Sequence, residues 1–139
     1  MQLRPEGFFG EKTGEPIALL PNDWKQLTTC MALGLGIYIG GEVTNGACAS
    51  APNTFWRFND GSDQSIAGGH CMYASGYIKG GSYGEPNLSI ESWGSRFYTT
   101  WSWWTAHIDE AYVLVDLARP ASCFNLEALR ADIAALHTA

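Results

Sequence analysis

The sequence is short of charge, and of positive charge most of all. Charged residues make up 16% of the 139 positions, with 8 Lys and Arg against 14 Asp and Glu, a formal net charge of −6. Such a balance does not draw in a phosphate backbone, so no nucleic-acid partner is expected. Long apolar runs are missing too. None approaches the roughly 18 residues of a membrane span, so no membrane span is expected. The first residues, MQLRPEGFFGEK, contain no apolar signal-peptide core, which points to cytoplasmic synthesis. The cysteines, Cys30, Cys48, Cys71 and Cys123, include no C-x-x-C pair, which argues against a zinc ribbon or a thioredoxin motif and leaves free thiols. The glycine-rich turns lack GxGxxG and GxxxxGK spacing, so no nucleotide site is expected. No cofactor and no metal is expected either. His107 and Asp109 would share one face of a strand, but two ligands do not make a site, and the stretch 107–110 reads as a solvated turn.

What the chain does have is apolar and aromatic mass: 46% hydrophobic residues and 13% aromatics, six of them Trp. The length fits one domain over residues 1–139 with a core of its own. Prolines and glycines punctuate residues 1–21, which read as an extended arm with a short strand at Ile17–Leu20. Residues 22–119 read as a β-rich body. Asp23 followed by Gln26 has capping-box spacing, and predicts a helix from Trp24 to Leu33 that Gly34 stops. Residues 34–43 read as a strand with Leu35, Ile37 and Ile39 on one face, and 44–69 as a long polar loop. Residues 70–78 and 87–93 read as a hairpin, 95–105 as a Trp-rich segment, and 111–117 as a further strand. Residues 120–139 turn helical: Leu126, Leu129, Ile133 and Leu136 form a stripe, with Ser122 or Asn125 as N-cap. The expected class is α+β, with a mostly antiparallel sheet and flanking helices.

The chemistry-bearing stretch is 68–115. Gly68-Gly69 leads into a strand that starts with His70, and the neighbouring strand ends with Glu91. A carboxylate beside an imidazole fixes its tautomer and favours imidazolium, as an acid/base histidine needs, and Trp93 could cover the pair. Cys71 alternates with His70 and is expected in the core, as is Cys30 in the first helix.

Four elements in order resemble the C-terminal half of the papain-like cysteine peptidases: Gly68-Gly69-His70-Cys71-Met72 with Gly76-Tyr77, then Glu91-Ser92-Trp93-Gly94, an aromatic segment, and Ala111-Tyr112-Val113-Leu114. The segment 24–43 also fits, and the resemblance covers about 90 of the 139 residues. It implies a papain-like half-barrel, with His70 as catalytic base and Glu91 where the family has an orienting Asn. Gly69, Trp93 and Trp101 are the expected substrate-binding residues. The family's Cys helix precedes the His; here it does not. Cys123 opens the C-terminal helix instead, and a thiol at a helix N-terminus ionises more readily. Two expectations follow. One is a permuted thiol hydrolase, with catalytic Cys123, His70 and Glu91, acting on a peptide or a cell-wall crosslink. The other is an inactive papain-like module that serves as an assembly component, for instance in a virion or phage tail. Its N-terminal arm would then be a docking strap to protein partners or to further copies of the chain.

Overall fold

The structure of the protein, a computed structural model, describes residues 13–116 and 126–138. Cys123, both candidate N-caps of the last helix and the first twelve residues of the N-terminal arm lie outside the described residues. The elements are β1 (Thr13–Leu19), α1 (Trp24–Ala32), β2 (Ile37–Thr44), the single-turn α2 (Asn45–Cys48), β3 (Phe55–Trp56), β4 (Ile66–Ile78), β5 (Asn87–Ser92), β6 (Ser95–Thr100), α3 (Trp101–His107), β7 (Ile108–Asp116) and α4 (Leu126–Thr138). The strands form one open seven-stranded sheet in the order β1-β7-β2-β4-β5-β6-β3. Every pairing is antiparallel except the short β3–β6 contact. This is the expected α+β architecture.

Alternation along the strands sorts the sheet into two faces. Ile17, Leu19, Ile37, Ile39, Met72, Ala74, Leu88, Ile90, Phe97, Ala111 and Val113 are buried on one face. Leu27 and Cys30 of α1, Trp103 and Trp104 of α3 and Ile133 of α4 complete that core. The other face carries a cross-strand row. Ala18 pairs with Tyr112, Tyr112 with Tyr38, Tyr38 with Tyr73, Tyr73 with Glu91, and Glu91 with Arg96.

The first helix follows its local signals. The Asp23 carboxylate accepts from the Gln26 backbone N–H at 3.0 Å. The return arm of the capping box is diverted, because the Gln26 side chain is buried and does longer-range work. Its Oε1 accepts from Leu20 N and its Nε2 donates to Ile133 O of α4, at 2.6 and 2.8 Å. One amide thus joins the exit of β1, α1 and α4. At the other end Gly34 takes φ +79°, and Gly34 N and Leu35 N bond back to Met31 O and Cys30 O, a Schellman closure.

Four expectations need correction. Residues 44–69 are not a featureless loop: they hold α2, β3 and the first residues of β4, and Asp60 and Asp63 fold the 60–65 segment through bonds to Ser62 and Ser65. Within the Trp-rich segment, residues 101–107 are the helix α3, capped by Thr100, and Trp103 and Trp104 are both buried in the core. His107 therefore ends a helix, its Nδ1 against Trp103 O at 2.8 Å, and does not share a strand face with Asp109. Cys71 is exposed, because its strand phase places it on the face opposite the core.

Candidate functional site

His70 lies on β4 opposite Gly41 of β2, in the phase of Met72 and Ala74, and so on the core-facing side of the sheet. The pairing Tyr73↔Glu91 decides which residue of β5 it meets. In that register Glu91 shares the open face with Tyr73. Ser92, 8% exposed, continues the buried phase of Leu88 and Ile90 and arrives beside His70. The bond runs between His70 Nε2 and Ser92 Oγ at 2.7 Å. Among the described residues it is the one hydrogen bond of the imidazole.

Glu91 is not brought to His70. Its carboxylate accepts from Arg96 Nε at 2.6 Å and from Ser75 Oγ at 3.1 Å, both on the open face. The hydrogen bond to Glu91, and with it the Glu91 charge, holds the Arg96 guanidinium above its usual range.

Trp93 does cover the histidine, with its ring stacked on the imidazole at 4.6 Å and 16°. The position is unusual. Trp93 and Gly94 form the two-residue turn between Ser92 and Ser95, with φ +48° and +72°. Positive φ at both central residues is the geometry of a type I′ hairpin, which favours Asn-Gly. A tryptophan there costs about 1–2 kcal/mol of backbone strain. The offset comes from its ring, which meets Trp56 and Phe97 as well as His70. The outer side of the ring stays half exposed.

Trp56 continues this wall. It packs against Trp103 and lines an open cleft of about 630 Å³ together with Thr44, Asn45, Ser50, Arg57 and Gln64. Gly69 is exposed, and a Cβ added there would meet nothing within 4 Å. Trp101 belongs to a separate group, edge-on to Trp24 and stacked with Trp104, and makes no ring contact with His70 or Trp93. Of the expected substrate-binding residues, Trp93 and Gly69 thus flank His70 and Trp101 stands apart.

The thiols differ sharply. Cys30 is fully buried, and burial pushes its thiol up to about 11. Cys48 and Cys71 are exposed. No three His, Cys, Asp or Glu side chains among the described residues gather as a metal site. No helix among them is long and apolar enough to cross a membrane.

No protein-family model matches this chain, and no curated protein matches it by sequence. A solved structure does. The fold is similar to that of xylellain, a cysteine protease from Xylella fastidiosa, with a TM-score of 0.58 over 76% of this chain at 19% identity. The fold is papain-like. The match spans 41% of the xylellain chain, so this protein corresponds to less than half of it.

Proposed function

We propose that the protein is a papain-like thiol hydrolase that cleaves an amide bond, with residues 1–139 acting as one domain. His70 is the general base and Cys123 the nucleophile, in permuted order. The observation that carries the reading is the held imidazole: a 2.7 Å bond to Ser92 on one edge and the Trp93 ring across its face. Such a ring is fixed in orientation and partly shielded from water, as proton transfer requires. The likeness to a cysteine protease fold adds to it.

In this reading the Cys123 thiol gives its proton to His70, and the sulfur attacks the substrate carbonyl carbon. The C–N bond breaks as the imidazolium returns that proton to the leaving amine, which leaves a thioester. Water, deprotonated by His70, then displaces the sulfur and releases the acid. The backbone N–H of Cys123 is the candidate oxyanion donor. The cleft beside Trp56 receives the substrate chain, a peptide or a cell-wall crosslink.

The test uses the protein's own thiols. Limiting iodoacetamide at neutral pH, followed by peptide mapping, ranks the four cysteines by rate. Cys123 is expected to react about tenfold or more faster than the exposed Cys48 and Cys71, because only it would be activated. His70→Ala should remove that advantage. Equal rates at all three, or indifference to His70→Ala, would sink the hydrolase reading and leave a scaffold with a papain-like fold.

A further inference from the structure

Two clefts of this protein differ in the sign of their charge. The one beside Trp56 is lined by Asp60 and Asp63 against Arg57. Another, of about 780 Å³, lies on the open face, where β4, β5 and β6 run toward the 79–86 turn. None of the described residues that line it is an Asp or a Glu, and Arg96 carries its charge. We propose that this open-face cleft binds the carboxylate end of a peptide whose last side chain is aromatic or large and aliphatic. Arg96 takes the carboxylate, and the rings of Phe55 and Tyr98 take the side chain. The proposal goes beyond the hydrolase reading and needs neither His70 nor Cys123.

Register builds the site. Gly76 pairs with Ser89 and Ser89 with Tyr98, so these three share the face of Glu91 and Arg96. Phe55 of β3 pairs with Tyr98, and their rings stack at 5.0 Å and 25°. Ile78, 63% exposed, lines the β4 side, and Gly76 puts no side chain on the floor between. Tyr83 lengthens the aromatic wall: its ring meets Phe55 edge-on at 5.3 Å, under the Arg57 guanidinium at 4.1 Å. Its backbone takes φ +64°, which costs a residue other than glycine about 1–2 kcal/mol. Strain of this kind concentrates at binding sites, and here it holds up a ring that is 56% exposed.

Arg96 decides the charge of the ligand. Its side chain is 54% exposed, and its ion pair with Glu91 runs through Nε. The Nη groups form the fork that takes a carboxylate in two parallel hydrogen bonds. An exposed pair of this kind is weak, so Glu91 competes little with a ligand for the guanidinium. A ligand's ammonium group would meet that guanidinium and no lining acid, so the cleft selects an acid over an amine. The remaining polar lining is neutral: Ser82, Ser89 and the bare backbone of Gly80 offer donors and acceptors that suit the amide before a terminal carboxylate.

The experiment is an NMR titration of the whole chain with N-acetylphenylalanine, its amide and phenylacetate. The expected result is saturable shifts at Phe55, Ile78, Tyr98 and the Arg96 side chain, with N-acetylphenylalanine bound about tenfold or more tighter than its amide. Arg96→Gln should bring the acid down to the level of the amide, while Glu91→Gln should hold or raise its affinity. Arg96 is exposed, so its replacement tests binding without unfolding the chain. Tyr98→Leu should weaken acid and amide alike, and phenylacetate, which lacks the amide, should bind more weakly than N-acetylphenylalanine. Equal binding of acid and amide, an acid affinity indifferent to Arg96→Gln, or shifts confined to the cleft beside Trp56 would overturn the proposal. So would the lack of any saturable shift. Phenylacetate bound as tightly as N-acetylphenylalanine would overturn the assignment to a peptide end.

Discussion

Two adjacent residues, Glu91 and Ser92, end up on opposite faces of the sheet and in different chemistry. On the open face Glu91 joins a row of tyrosines and an exposed ion pair with Arg96. On the core face Ser92 is buried among aliphatic and aromatic side chains and holds His70. The difference lies less in the residues than in the medium. A charge on the open face keeps its water and pairs weakly. A hydroxyl on the buried face has one partner and keeps it. The more reactive-looking residue is thus the peripheral one.

The contrast between faces can be broken most forcefully from the core side. Trp103, 1% exposed and packed between Trp56 and His107, should cost about 3–5 kcal/mol when truncated to alanine, read by denaturant unfolding. Tyr112→Ala on the open face should cost a small part of that. If both cost the same, the open face is covered by something and the two faces are not different.

Glycines give the next test. A Cβ on Gly41 would lie 2.2 Å from the His107 carbonyl oxygen, a backbone atom that cannot swing away. Gly41→Ala should therefore destabilise by about 1–3 kcal/mol through forced separation of β2 from the end of α3. Gly69→Ala, with open space around it, should leave stability nearly unchanged.

Thiol titration sharpens the same contrast. Burial raises the Cys30 thiol from 9.0 to about 11, so the fold favours its neutral form. That contribution is complete below the unfolded value and is lost as pH rises from about 9 through 11. The melting temperature should fall across that window. Cys30→Ala should flatten the fall, and Cys71→Ala, on the open face, should not.

The smallest effect belongs to Glu91→Gln. It removes an exposed ion pair and should leave the melting temperature where it was. A large drop would show that the pair anchors the β5–β6 hairpin, and the open face would then be structural after all.

Much of this was legible beforehand, and the places where it was not are instructive. The Asp23 cap, the Gly34 stop, the β4–β5 hairpin and the α+β class were readable because each depends on residues a few positions apart. The turn at Trp93-Gly94 hides its I′ geometry, since a tryptophan is not a turn residue by composition. It is held there by rings from β3 and β6 that the local sequence does not announce. The helix α3 was masked by β-favouring aromatics, and a core that needed Trp103 and Trp104 on the same side overrode their propensity.

The partner of His70 was half legible. Leu88 and Ile90 mark the buried phase of β5, and that phase passes through Ser92 and skips Glu91. Met72 and Ala74 mark the same phase on β4, and it passes through His70. The sequence alone therefore determined that His70 and Ser92 each face inward. That they face each other depended on the register Tyr73↔Glu91, and a shift of one residue would have brought the carboxylate to the ring instead. Alternation is a property of one strand and can be read along it. Register is a property of two, decided by turns, bulges and core packing summed over the whole sheet, and only the tertiary structure could supply it.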